Sequence, residues 1–157
     1  RLRGIVTDDN YVYALLGYEV KLVKLNKSNG SVVSTYQLTG GISGSLGRTS
    51  THLLRCTGQS ATGIVKTTFS DPSTVIASCP GIVSTPEFLG YDGDLAYFSS
   101  SSGGVMCIRG SDMKILWHGF AANTHVKFFN SSTLGVLIGY SIGGFAYVAM
   151  HNCKLSS

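Results

Sequence analysis

Charge is scarce in this chain. Asp, Glu, Lys and Arg make up only 13% of its 157 residues, about half the ~25% usual in globular domains. With 43% hydrophobic residues beside that figure, intrinsic disorder is excluded, because disordered chains are rich in charge and poor in apolar side chains. A long coiled coil is excluded as well, since it needs abundant Glu, Lys, Leu and Ala. The eight acidic residues leave little material for the paired carboxylates of a glycosidase. His52, His118, His125 and His151 show no HxxxH or HxH spacing, so no local zinc site is expected. Cys56, Cys79, Cys107 and Cys153 form no CxxC pair, which argues against a zinc knuckle or a thioredoxin-type site. The stretch Gly40–Gly47, GGISGSLG, lacks the Gly-Lys-Ser/Thr ending of a phosphate loop and any helix after it. It also lacks the Gly-x-Ser-x-Gly spacing of a nucleophile elbow, and it reads as a connecting loop. Almost no segment carries the i, i+3, i+4 apolar pattern of an amphipathic helix.

What the chain has is short β-type runs separated by Gly, Ser, Asn and Asp. They recur with a period of about forty residues. The first unit, about 1–38, reads LRGIVTD, YVYALLG, VKLVKLN and SVVSTYQL, with Lys27-Ser28-Asn29-Gly30 as the turn before the last run. The second, about 40–80, has HLLRCTG, GIVKTTF, a Ser70-Asp71-Pro72 turn and STVIASC. The third, about 81–120, has IVSTPEFLG, LAYFSSS, GVMCIRG and KILWHGF, with turns at Asp92-Gly93-Asp94 and Gly103-Gly104. The fourth, about 121–157, has VKFFN, LGVLIGY and GFAYVAM, and stops where a fourth strand should begin. Aligned by their second runs, Tyr13 falls against Tyr97 or Phe98, and Val33 against Ile115 or Leu116. About four units of four short antiparallel strands, the last incomplete, predict an all-β, propeller-like array of blades. Such blades stack face to face because none can bury both faces alone. Tyr13, Tyr97 and Trp117 are the expected blade-packing aromatics. A β-trefoil is the alternative, with lobes of about fifty residues.

Residues 131–150 carry no charge and are long enough to span a bilayer as a helix. Gly135, Gly139 and Gly143 recur every four residues, like a small-residue packing face. The aromatic and β-branched content and the absence of a flanking Lys/Arg cluster favour two strands instead, so a membrane partner is not expected.

The segments 11–38 and 95–120 resemble the repeat of quinoprotein-alcohol-dehydrogenase-like β-propellers. Asn29-Gly30 takes the turn of that repeat and Trp117 its closing aromatic, while Ser34 or Tyr36 stands at the closing position in the first unit. The resemblance implies a propeller, commonly of seven or eight blades; this chain has material for three and a fraction, which either close on themselves as four short blades or form part of a larger propeller, and the missing final strand favours the second. Enzymatic members of that family are expected to hold pyrroloquinoline quinone against an adjacent cysteine pair and a Trp, with calcium and an Asp base. This sequence has no adjacent cysteines, so no cofactor and no catalysis are expected, and a quinone-dependent dehydrogenase fragment is only the third reading.

Asp8-Asp9-Asn10 and Asp92-Gly93-Asp94 concentrate oxygen atoms, yet neither has the pattern of a calcium loop, and both read as hairpin turns. Lys21 and Lys24 fall on opposite faces of one strand, so no basic stripe forms and nucleic acid is not an expected partner. Cys56 and Cys79 lie two strands apart, about 9–10 Å, too far for a direct bridge; pairing of either with Cys107 or Cys153 stays open. The sequence opens on Arg1 without a signal peptide, as in a processed product or a piece of a longer chain. Sequons at Asn26, Asn29 and Asn130 mark candidate glycosylation sites. With low charge and an even cysteine count they point to an extracellular or secretory-lumen setting. The leading expectation is therefore a non-catalytic propeller segment that binds protein: the rest of its precursor, another subunit or itself. A carbohydrate-binding module is second, with sugars stacked on some of its eight tyrosines.

Overall fold

The computed structural model describes residues 1–58, 63–80, 86–99, 105–119, 127–131, 135–142 and 145–151, with side chains described as far as Leu116 except Ser43 and Pro80. The described residues form strands and turns. β1 (Leu2–Thr7), β2 (Tyr11–Leu16), β3 (Lys21–Asn26) and β4 (Val32–Gln37) form the first sheet. β5 (Ile42–Arg48), β6 (His52–Thr57), β7 (Gly63–Thr68) and β8 (Ala77–Pro80) form the second. β9 (Glu87–Asp92), β10 (Leu95–Ser99), β11 (Val105–Arg109) and β12 (Lys114–Gly119) form the third. β13 (Lys127–Ser131), β14 (Gly135–Ile142) and β15 (Phe145–His151) form a fourth, with three described strands. Strand order follows chain order and every pairing is antiparallel. The first strands of successive sheets touch in series, β1 with β5, β5 with β9, β9 with β13.

Four separate meanders starting at Leu2, Ile42, Glu87 and Lys127 keep the forty-residue spacing read in the sequence and set the trefoil aside. Residues 131–150 fall largely in β14 and β15, as strands, and no helix among the described residues is long and apolar enough to cross a membrane. The Asn29-Gly30 and Asp92-Gly93-Asp94 turns use the residues expected of them, while the expected Gly103-Gly104 turn lies outside the described residues. Gly30 and Gly93 take φ of +73° and +58°, a region that costs an L side chain but not glycine. The Asp8 carboxylate closes the β1–β2 turn, accepting the amides of Asn10 at 2.8 Å and Tyr11 at 2.6 Å.

One reading needs correction. Most of the GGISGSLG stretch is not a connecting loop but β5, the inner strand of the second sheet. Its glycines are there because backbone and rings pass close by. A Cβ at Gly44 would lie 2.5 Å from the Pro86 carbonyl oxygen, and one at Gly47 would lie 2.6 Å from the Phe88 ring. Without side chains at those points the strand shows no apolar alternation.

The core lies between sheets. Val6, Tyr13, Leu15, Leu22, Leu46 and Leu53 are buried between the first and second sheets. Leu54, Cys56, Ile64, Ala96, Phe98 and Ile108 are buried between the second and third. Each fully buried Leu, Ile or Phe contributes roughly 1.5–3 kcal/mol relative to exposure. Neighbouring β6 residues serve opposite cores, since successive side chains point to opposite faces. Leu53 packs toward the first sheet and Leu54 toward the third, so the middle of β6 is buried on both sides.

Candidate interaction surface

The first sheet behaves differently from the second. Its inner face, with Val6, Tyr13, Leu15 and Leu22, is buried against the second sheet. Register places Ile5 beside Ala14, Ala14 beside Val23, and Val12 beside Leu25 on the opposite face. That face is apolar, yet none of these side chains is buried; Ile5 is 52% exposed and Val33, on the outer strand, 46%. Lys21, paired with Leu16, sits on the same face and forms a 3.4 Å ion pair with Glu19. Apolar residues on both faces of β2 and β3 are the pattern of a sheet meant to be covered twice.

The second sheet, covered on both sides, holds three buried cations, each bonded to backbone carbonyls. Arg48 is stacked between the Phe69 and Tyr91 rings at 4.8 and 4.6 Å. Its guanidinium donates to the carbonyls of Thr7, Thr49 and Ser50. Arg55, 2% exposed, donates one bond of 3.1 Å to the Thr39 carbonyl, and burial lowers its pKa. Lys66 crosses to the third sheet and donates to the Gly110 carbonyl at 2.6 Å and that of Ser111 at 3.3 Å. The bonds to Thr7, Thr39, Gly110 and Ser111 reach into neighbouring sheets and linkers and act as clamps between blades, while the Nε and Nη1 atoms of Arg55 are buried without a partner.

The predicted residues separate by role. Tyr13 and Tyr97, each third in its strand, are fully buried. The Tyr13 hydroxyl donates to the Asp8 carboxylate at 2.9 Å, and its ring lies 5.3 Å from that of Phe69. Burial and Asp8 raise its pKa. Trp117 pairs with Cys107 in the β11–β12 ladder, and its side chain lies outside the described residues, as do those of Asn130, Cys153, His118, His125 and His151. Asn26 and Asn29 lie at and within the β3–β4 turn. Each accepts a hydrogen bond of 2.8 Å from the serine hydroxyl of its own sequon, Ser28 and Ser31. Asn29 is exposed and Asn26 partly buried. Cys56 and Cys79 are buried free thiols, and Cys107 is buried as well. Cys56 and Cys79 are both opposite Ile64, on the strands to either side of it. Burial raises both thiols, Cys56 to about 12, far from the range in which a thiolate attacks. No cluster of three or more His, Cys, Asp or Glu that could hold a metal occurs among the described residues. The inner strands do border an open recess of about 390 Å³ lined by Arg3, Gly4, Ile5, Ser45, Leu46, Glu87 and Phe88.

Neither the sequence forecast of Tyr and Trp packing nor the sequon pattern singled out the outer face of the first sheet. The signal was present in YVYALL and KLVKLN, apolar in both phases of the alternation.

No protein-family model matches this chain, and no curated protein matches it. Solved structures do. The computationally designed Ika4 protein is 8% identical with a TM-score of 0.68, over 97% of this chain and 92% of its own. BamB from Moraxella catarrhalis is 10% identical with a TM-score of 0.61, over 95% of this chain and 50% of its own. U3-55K is 12% identical with a TM-score of 0.61, over 96% of this chain and 52% of its own. BamB and U3-55K are β-propeller proteins, and the present chain spans about half the length of each.

Proposed function

With a β-propeller fold as the premise, we propose that this chain is a non-catalytic, protein-binding propeller segment of a secreted or lumenal protein. The observation that carries the reading is the uncovered outer face of the first sheet. Ile5 and Val33 stand exposed there, while the second sheet, built the same way, is covered on both sides. An apolar sheet face of this kind drives association. The partner is protein: the rest of a precursor, another subunit or another copy. The secretory setting is supported by the exposed sequon at Asn29; the buried thiols are packing groups and lend it nothing. Carbohydrate binding has less support, because Tyr13 and Tyr97 are buried and the Tyr11 ring is covered by the Lys24 ammonium at 3.8 Å.

Cross-linking of material purified from its native source tests this. Lys21, on the outer face, is expected to link to another polypeptide or to sequence outside 1–157. Native material with the mass of a single 16.6 kDa chain, whose Lys21 links only within that chain, would contradict the reading.

A further inference from the structure

We infer that the outer edge of β4 receives an extended strand from a partner protein, which adds a fifth strand to the first sheet. This rests on the protein-binding reading above and gives the partner a second surface, the rim of that sheet. The observation that carries it is the strand order. β4 ends the first sheet, so half of its backbone groups have no strand to meet, and an unpaired strand edge is a template for another strand.

The register identifies those groups. In an antiparallel pair, residues that exchange both backbone hydrogen bonds alternate with residues that exchange none and turn theirs outward. The Leu38 amide donates to the Val20 carbonyl at 2.9 Å. Two residues back, Tyr36 pairs with Leu22, and two further back Ser34 pairs with Lys24; these face β3. Gln37 and Thr35, opposite Lys21 and Val23, therefore aim their N–H and C=O groups away from the sheet. The Gln37 side chain folds back to the Glu19 and Val20 carbonyls at 3.2 Å each, clear of that edge. A bulge between Lys24 and Leu25 shifts the register beyond Ser34, so the straight stretch of edge is 34–37. Along it donors and acceptors repeat every second residue, about 6.8 Å apart, a spacing that extended backbone matches.

The next two sheets blunt the same edge. β8, outermost in the second, has four residues and ends on Pro80, which has no amide to donate. β12, outermost in the third, opens on Lys114, a charge of the kind that keeps edges apart. β4, VVSTYQ, carries neither charge nor proline, and Val32 and Val33 stand exposed on it. A single extended segment suits this rim better than a second copy. Two sheets meeting edge to edge would join these backbone groups and bury little else, far below the ~1,000 Å² of a specific interface. A flexible segment can pair with Thr35 and Gln37 and lay its side chains over Val32 and Val33 at once.

Hydrogen exchange at single-residue resolution tests this, on material from the native source beside the isolated 157-residue chain. In the isolated chain the Ser34 and Tyr36 amides, bonded to β3, should exchange slowly and those of Thr35 and Gln37 fast. In native material all four should be slow, with Thr35 and Gln37 retarded at least about 100-fold. Thr35→Pro removes an outward N–H and no bond to β3, a change that an edge strand accepts. In native material that variant should lose the protection of Gln37 and keep that of Tyr36. If the proline unfolds the sheet, fast Tyr36 exchange reports it and the wild-type comparison decides. Thr35 and Gln37 amides equally fast in both samples would overturn the inference. So would slow exchange of both in an isolated chain that light scattering finds at twice 16.6 kDa, since the edge would then belong to a second copy. Fast Thr35 and Gln37 amides in native material whose Ile5 and Val33 are shielded would sink edge pairing and leave the protein-binding reading standing.

Discussion

Tyr13 joins a sheet, a turn and a core in one side chain, so its removal tests how the first two blades are held. The ring is fully buried beside Phe69 and its hydroxyl donates to Asp8 at 2.9 Å. Tyr13→Phe keeps the ring and deletes that bond. A hydrogen bond to a charged acceptor is worth about 1.5–3 kcal/mol, which for a chain of this size is a fall in Tm of roughly 3–12 °C. Tyr13→Ala removes the ring as well and adds a cavity, for a further loss of about 3–5 kcal/mol. The pH dependence supplies a second check. Burial pushes the Asp8 carboxyl up, but amide hydrogen bonds from Tyr11 and Asn10, the Tyr13 hydroxyl and the charge of Lys24 outweigh it and hold it below the ordinary 3.8. A carboxyl lowered on folding stabilises the fold fully above its unfolded value and loses that contribution as pH falls through the folded one. Wild type and Tyr13→Phe should therefore differ most above pH 4 and converge as the pH drops below 3.8. Thermal unfolding of wild type, Tyr13→Phe, Asp8→Ala and the double variant measures the coupling. Additivity within ~0.5 kcal/mol, or a gap unchanged by acid, would refute the Tyr13–Asp8 assignment.

Other outcomes follow from the same packing. Gly47→Val places a Cβ 2.6 Å from the Phe88 ring and 2.8 Å from that of Phe98, and should cost about 1–3 kcal/mol or more in urea unfolding. Lys66→Met strips the Gly110 and Ser111 carbonyls of their ammonium donor and should cost about 1–3 kcal/mol; an equal or raised midpoint would show that the clamp adds nothing. Cys56 and Cys79, both buried, should react with a thiol reagent at pH 8 only after denaturation, and rapid labelling of the native chain would place a thiol at the surface. Mass spectrometry of glycopeptides from native material should find sugar on Asn29, at the exposed turn, in preference to Asn26; bare asparagines would remove the main support for a secretory setting.

The strands of the first and third units were legible because their alternation and turn residues agree. YVYALL and LAYFS lie within runs read from the sequence as second strands, and Asp92-Gly93-Asp94 turns where its glycine permits. β5 was hidden because glycine at its points of closest approach erases the hydrophobic signal. The buried cations were hidden for another reason. Arg48, Arg55 and Lys66 look like surface residues in a sequence, and the carbonyls that receive them, such as Thr7 for Arg48 and Gly110 for Lys66, lie far away in the chain. The exposed face was half legible. Apolar residues in both phases of β2 and β3 signal two covered faces, but which of them lacks a neighbour depends on where the sheet stands in the stack.

An interface on the outer face of the first sheet leaves a direct mark, the shielding of its apolar side chains from solvent. Carbene footprinting of native material measures it, with Tyr18 as the exposed reference. Ile5 and Val33 should be shielded while Tyr18 labels strongly; labelling of Ile5 and Val33 in proportion to their 52% and 46% exposure in the single chain would show that nothing covers this face.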